Sequence, residues 1–332
     1  MRQILLTLVR LAVGIALLAY LARSGTIDFR ALTKLLAAWP VTAAAMALLL
    51  LDIGLMALRL CWLFPPQGLH LAFGTSLKLT LVSFFFATFL PGAAGGDLAK
   101  IYYAARENSG RRAEIITVLF FDRAIGLFSL LLLPVLFAPW FLPFLRATPA
   151  VRSLVLASAV LSLGMLGGFV LCLYAPSLVI RLAQGPLAFL HWRNVASRVL
   201  ATMGAYRRFP GMLLAALALA IGANLFLIAV TALAVFVLNP ANVAPKLCLL
   251  IPIGHLVNSL PLTPGGLGVG EAAFNALFEL GGLRGGAEAL LCWRIWTVLV
   301  GLLGLALYLR GFGKQVITVP AQAAEEGLPV ND

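Results

Sequence analysis

Two stretches of this chain put an acid, and in one case also a base, directly after a break in apolar sequence. The first runs from Phe89 to Lys100, FLPGAAGGDLAK, and the second from Leu260 to Glu271, LPLTPGGLGVGE. Each has a Leu-Pro, a glycine-rich break and then an acid. Glycine and proline at membrane depth free backbone polar groups, which protein, a water-filled cavity or a ligand must then satisfy. Pro91, Gly92, Gly95 and Gly96 supply the first break; Pro261, Pro264, Gly265, Gly266 and Gly268 supply the second. A matched pair of interrupted apolar segments, one in each half of a chain, is the sequence pattern of a transporter site.

The charges inside apolar runs are the other chemical signal. A charge at mid-bilayer costs at least ~2.5 kcal/mol, so each marks a candidate site. Asp97 follows a Gly-Gly pair and either caps the helix it starts or binds a proton or a cationic group. Glu271 has the same two readings, its structural one being complementation of a helix dipole. Lys100, one turn beyond Asp97, pairs with it or offers a cation to a phosphate. Asp122 and Arg123 are adjacent, so their side chains diverge and need different partners. They serve interhelical ion pairs, with Asp52 or Arg59 among the partners, or Arg123 clamps a phosphate through its bidentate guanidinium. Arg294 snorkels to an interface or reaches the second break, where exposed helix N-termini favour an anion. The candidate substrate- or ion-binding set is Asp97, Lys100, Asp122, Arg123, Glu271 and Arg294. Lys78 is a further charge in an apolar run, and His255 and Asn258 add neutral polarity before the second break.

The elements that must position these groups follow from composition. The 332 residues are 62% hydrophobic and 11% charged, where soluble domains carry about 25% charged residues. The expected fold class is all-α, a polytopic integral membrane bundle. The net charge of +12 sits in loops and helix ends, as the positive-inside rule requires, and does not point to nucleic acid. The cysteines are scattered singly, the histidines have no ligand spacing, and no nucleotide loop or nucleophile elbow occurs. No cofactor or metal is therefore expected.

Apolar runs predict spans over Ile4–Ala22 (retained rather than cleaved), Pro40–Phe64, Ile115–Trp140, Ser153–Tyr174, Pro210–Leu238 and Ala287–Leu309. The two broken segments, Leu71–Arg106 and Leu247–Leu280, read either as re-entrant hairpins entering from opposite faces or as two further spans. Hairpins give six spans with both termini cytoplasmic and an inverted repeat; the alternative gives eight spans with both termini outside. Loop charge accommodates both, and opposed hairpins account for the Gly-Pro breaks. One transmembrane domain is expected over residues 1–310, with pseudo-repeat halves near 1–175 and 176–310 and a disordered cytoplasmic tail over 311–332. The polar stretch Ala175–Phe209 has apolar residues at helical spacing, and part of it is expected to lie flat on the membrane.

The sequence resembles the lysylphosphatidylglycerol synthase transmembrane-region family, which includes the flippase half of bacterial multiple peptide resistance factors. The resemblance lies in Pro91-Gly92 with Gly95-Gly96-Asp97, in Tyr102-Tyr103, in Asp122-Arg123 with Gly126, in Pro261 with Thr263-Pro264-Gly265-Gly266-Leu267-Gly268 and Glu271, and in Arg294. It implies a multi-pass inner-membrane protein that moves or handles a lipid, with both breaks near the head-group path. The full-length resistance factors also carry a soluble aminoacyl-transferase domain; this chain departs from that pattern, and a stand-alone member is expected. The expected function is a lipid flippase or transporter for a polar-headed lipid, an anionic phospholipid or an isoprenoid-linked one. The alternatives are a membrane-embedded lipid or polyprenyl transferase, with Asp97 or Glu271 as base, and a non-catalytic membrane subunit. Expected partners are membrane lipids and, for the last reading, a separately encoded lipid-synthesis enzyme.

Overall fold

A computed structural model describes residues 34, 38–89, 96, 100–101, 103–104, 111–175, 177–179, 203–260, 262–263 and 266–310. The predicted first span, the tail, most of the stretch expected to lie flat, and Pro91, Gly92, Gly95, Asp97, Tyr102, Pro261, Pro264 and Gly265 lie outside the described residues. Every regular element described is a helix, as the apolar composition requires. In hydrocarbon a helix satisfies its own backbone, and an open strand does not.

We number the helices α1 (Trp39–Leu63), α2 (Phe73–Phe89), α3 (Arg112–Phe137), α4 (Leu142–Ala147), α5 (Pro149–Tyr174), α6 (Pro210–Leu238), α7 (Leu247–Asn258), α8 (Val269–Leu280) and α9 (Gly286–Leu309). Five stretches are long and apolar enough to cross a membrane: Trp39–Gln67, Ala113–Ala147, Pro149–Tyr174, Pro210–Leu238 and Gly286–Leu309. They coincide with the five predicted spans that fall within the described residues. Two shorter apolar helices, Phe73–Ala87 and Leu247–Asn258, are the ones that run into the glycine-rich breaks. Pro sits in the first turn of α1, α5 and α6, where its missing N–H costs nothing.

The bundle is organised by α1 against α6. Tyr206, just before α6, donates from its hydroxyl to the carbonyl of Leu63 at 2.7 Å. Lys34, just before α1, donates to the carbonyl of Leu238 at 3.1 Å. Midway, the space beside Gly222 is filled by Leu55. The two helices therefore run antiparallel over most of their length, with a Leu63 end and a Leu238 end. Burial raises the Tyr206 phenol above its ordinary value, so it remains the donor in this tie.

The flanks of each broken segment are tied to each other by hydrogen bonds. Arg111, at the start of α3, donates to the carbonyls of Gly68 and Gln67, at 3.0 and 2.7 Å. The chain from Gly68 to Arg111 thus starts and finishes at the Leu63 end. At the other end Asn242 donates to the carbonyl of Arg284 at 2.7 Å, so the chain from Asn242 to Arg284 starts and finishes there. The two short helices also pack reciprocally: α2 lies on α9, and α7 lies on α3. The α2–α9 contact is close because Gly304 meets the backbone of Leu81 and Gly301 faces Phe85. Small residues let membrane helices approach backbone to backbone in this way.

Two main hydrophobic clusters lie along this axis. One, at the Leu63 end, gathers Leu60, Leu63, Phe64, Ile115, Phe121, Tyr206 and Ala216. The other, toward the Leu238 end, gathers Leu49, Val235, Leu250, Phe274, Leu290 and Trp296. Each surrounds one group of buried charges.

Candidate functional site

The first group forms where α1 meets α3. Arg59 on α1 donates from Nε to Oδ1 of Asp122 on α3 at 2.7 Å. Lys100 Nζ lies 3.8 Å from the other carboxylate oxygen. Arg59, Lys100 and Asp122 are 3%, 7% and 5% exposed, so water screens none of them. Gly126, one turn after Asp122, leaves room for the guanidinium; a Cβ there would stand 3.5 Å from both terminal nitrogens of Arg59. Two cations thus share one carboxylate. Asp52, two turns before Arg59 on α1, is buried as well.

The first break reaches this group through Gly96. Its carbonyl accepts a hydrogen bond from the Ser83 hydroxyl of α2 at 2.8 Å. A Cβ at Gly96 would stand 2.6 Å from the Ser83 carbonyl oxygen. Gly96 therefore lies directly against α2, and Lys100, four residues on, reaches Asp122. A polar link from α6 lies close by: the Asn224 amide donates to Ser129 Oγ at 2.7 Å.

The second group spans the second break. Glu271, fully buried in the first turn of α8, uses both oxygens. Oε2 accepts the Gly268 backbone N–H at 2.7 Å, which is the return half of a capping box. Oε1 accepts from Arg294 Nε of α9 at 2.6 Å. The same guanidinium donates to Oδ1 of Asn258, the last residue of α7, at 2.7 Å. One arginine therefore joins the helix entering the break, the helix leaving it and the last span. The glycines make the closure possible. Gly266 and Gly268 have φ of 71° and 78°, in the left-handed region. At Gly266 a Cβ would collide with Asn258, and at Gly270 with Asn258 and Leu290.

His255, one turn before Asn258, extends this group. Thr231 of α6 gives its hydroxyl proton to the Leu227 carbonyl at 2.9 Å. Its oxygen also lies 3.0 Å from His255 Nε2, so the hydroxyl and the imidazole share a hydrogen bond whose direction follows the ring's tautomer. Phe274 and Trp293 close over the imidazole, with ring centroids at 5.1 and 4.8 Å. Trp296, two residues beyond Arg294, donates to Thr42 Oγ1 at 3.3 Å. Thr42 and Arg59 are separated by about 25 Å along α1 at 1.5 Å per residue, so the two groups occupy opposite halves of the bundle.

Of the predicted site residues, the structure brings Lys100 and Asp122 together in the first group and Glu271 and Arg294 in the second. Lys100 reaches Asp122, a partner not considered for it. Arg123 lies on the exposed face of α3, turned away from Asp122 as adjacent helical residues must be. Arg59 and Asn258, absent from the predicted set, are direct members. Both were legible as polar residues in apolar runs, but only their tertiary partners single them out. Thr231 and Asn224 carried no such signal. Among the described residues no group of three His, Cys, Asp or Glu side chains could hold a metal ion.

Fold and site together define a polytopic helical membrane protein with ion pairs buried at two glycine-rich breaks. The chain belongs to the lysylphosphatidylglycerol synthase transmembrane-region family, whose model matches residues 7–304. The family is a membrane domain of the flippase type, which attaches the chain to membrane-lipid biology. Comparison with curated proteins and with solved structures yields no match.

Proposed function

We propose that the protein is a flippase that moves a lipid with a polar, anionic head group across a bacterial inner membrane. The observation that carries this reading is the pair of buried ion groups at opposite halves of one bundle, each built at a helix break. Burying an ion pair is a poor route to stability, because desolvation offsets most of the Coulombic gain. A transport site gives such groups a use. In the first group Asp122 occupies Arg59 and Lys100 while the site is empty. A lipid phosphate displaces it, matching the planar guanidinium through two hydrogen bonds. In the second group Arg294 serves the same end, with Glu271 free to take a proton or a cationic moiety as the arginine turns to the substrate. Asp97 has the corresponding role at the first break, and Arg123 meets the head group at the bundle surface. Acyl chains remain in lipid while the head group crosses by alternating access.

The two broken segments are, on this reading, re-entrant hairpins entering from opposite faces. Their support is that Arg111 returns to Gly68 and Arg284 to Asn242. The Leu63 end, with Arg111, Arg207 and Arg208, is the cytoplasmic face, and both termini are cytoplasmic. The two halves form an inverted repeat about the antiparallel α1–α6 contact.

The test is reconstitution of the full chain in liposomes carrying a fluorescent phosphatidylglycerol, with a membrane-impermeant quencher reading exposure of the label. Faster equilibration between leaflets than in empty liposomes, abolished by Asp122→Asn and by Glu271→Gln, is the expected result. No acceleration, with a covalently altered lipid recovered instead, would replace the flippase by a membrane-embedded transferase.

A further inference from the structure

A second lipid contact is written into the outer surface of the bundle. Between α3, α5 and α6 lies an apolar groove of about 300 Å³, lined by Phe128, Leu166, Phe169, Leu173, Leu214 and Leu217 among others. Its length is set by Leu173 to Met165 on α5 and Pro210 to Leu217 on α6, which at 1.5 Å per residue is about 10–12 Å. It opens where α5 ends and α6 begins, at the Leu63 end, and runs from there toward the middle of the bundle. All three helices are long and apolar enough to cross a membrane, and the cleft lining is apolar.

The mouth of the groove is chemically different from its walls. Arg207 and Arg208 are exposed in the turn just before Pro210, which itself lines the groove. Tyr174, at the end of α5, is 58% exposed beside Leu173. Two guanidinium groups and an amphipathic phenol at the level where spans end are the groups that meet a lipid head group. We propose that the groove and its basic rim hold one anionic glycerophospholipid, an acyl chain between α5 and α6 and its phosphate at Arg207 and Arg208.

The occupant follows from the match of charge to depth: cations at head-group level, carbon below. A partner helix would have no use for a paired basic rim, and a free phosphate none for the groove. The back wall adjoins the first ion group. Phe169 lines the groove and packs edge-on against Phe121 at 4.7 Å, and Phe121 precedes Asp122. A lipid held here would rest against the Phe169–Phe121 pair, next in sequence to Asp122. The proposal sharpens the flippase reading and rests on α3, α5 and α6 lying in a bilayer, but it concerns binding and needs no transport.

The experiment is native mass spectrometry of the full chain in detergent, with dioleoyl phosphatidylglycerol and dioleoyl phosphatidylcholine added at equal concentration. Phosphatidylglycerol is expected to be retained in preference. Joint replacement Arg207→Gln and Arg208→Gln should lower its retention roughly fivefold for each arginine lost, with phosphatidylcholine unchanged. Leu214→Trp, which fills the groove from an exposed position, should lower retention of both lipids. Leu161→Trp, exposed on α5 but outside the groove lining, should lower neither. Equal behaviour of the two tryptophan variants, or no loss of selectivity in the arginine variant, overturns the proposal. So does a disulfide-linked dimer formed through Leu214→Cys in a background lacking the native cysteines, since a second copy would then cover the groove. Groove effects that persist in a protein that moves no lipid leave this site standing and remove the flippase reading.

Discussion

At the scale of single residues, buried charge is the feature that sets this protein apart from a passive bundle. Among the described residues Asp122 pairs with both Arg59 and Lys100. Asp122→Asn removes the compensation and leaves two buried cations against a neutral amide. The expected loss of stability is ~3–5 kcal/mol, read as a lowered melting temperature in detergent. Arg294→Lys tests geometry at constant charge. A lysine has one nitrogen for the work of two, and Arg294 contacts Glu271 through Nε and Asn258 through a terminal nitrogen. Transport should fall while stability, followed by thermal melting, drops by no more than ~1.5–3 kcal/mol, the value of one charged hydrogen bond. Retained transport in the lysine variant would remove Arg294 from the head-group path. These residues were readable in the sequence as costly charges, with Arg59 among the candidate partners of Asp122, but neither the choice of Arg59 nor Lys100 as the second partner was fixed there. Asp122 sits 63 residues from Arg59, and no local rule joins positions that far apart.

At the scale of elements, the glycines of the second break serve closure as well as flexibility. Gly266 and Gly282 both have φ near +70°. A Cβ at Gly282 would meet nothing within 4 Å, whereas one at Gly266 would strike Asn258. Gly282→Ala should therefore cost only the left-handed strain, roughly 1–2 kcal/mol. Gly266→Ala should cost clearly more and also reduce lipid movement, because Asn258 loses its place against Arg294. Thermal melting of the two variants side by side makes the comparison, and equal losses would mean that the break is merely a turn. The helix entering the break was legible from its apolar run, and the break from TPGG. That Asn258 fills the space above Gly266 and Gly270 was not, because a collision depends on the path of two segments brought together by the fold.

At the scale of the whole molecule, the expected consequence is a sidedness. His70 lies at the Leu63 end and Val243 at the Leu238 end, and both are exposed. In a background without Cys61, Cys172, Cys248 and Cys292, His70→Cys should label only from the cytoplasmic face and Val243→Cys only from the opposite one. The hairpin model also requires Arg111 and His70 to share a face, and Arg284 and Val243 to share the other. Labelling of Arg284→Cys from the cytoplasmic side would restore the eight-span arrangement. Among the described residues Lys34 and Arg284 lie at the Leu238 end and Arg111, Arg207 and Arg208 at the Leu63 end.

The sequence by itself determined that this is an all-helical membrane protein, where its described spans lie, and that two breaks carry acids. Those properties depend on transfer free energy summed over neighbouring residues, and on backbone rules that act within a few positions. Only the tertiary structure decided that Asp122 answers Arg59 and Lys100, that Arg294 ties α7 to α8, and that Arg111 is bonded to Gly68 and Asn242 to Arg284. Those depend on side chains meeting across helices, where each partner satisfies a charge that hydrocarbon cannot.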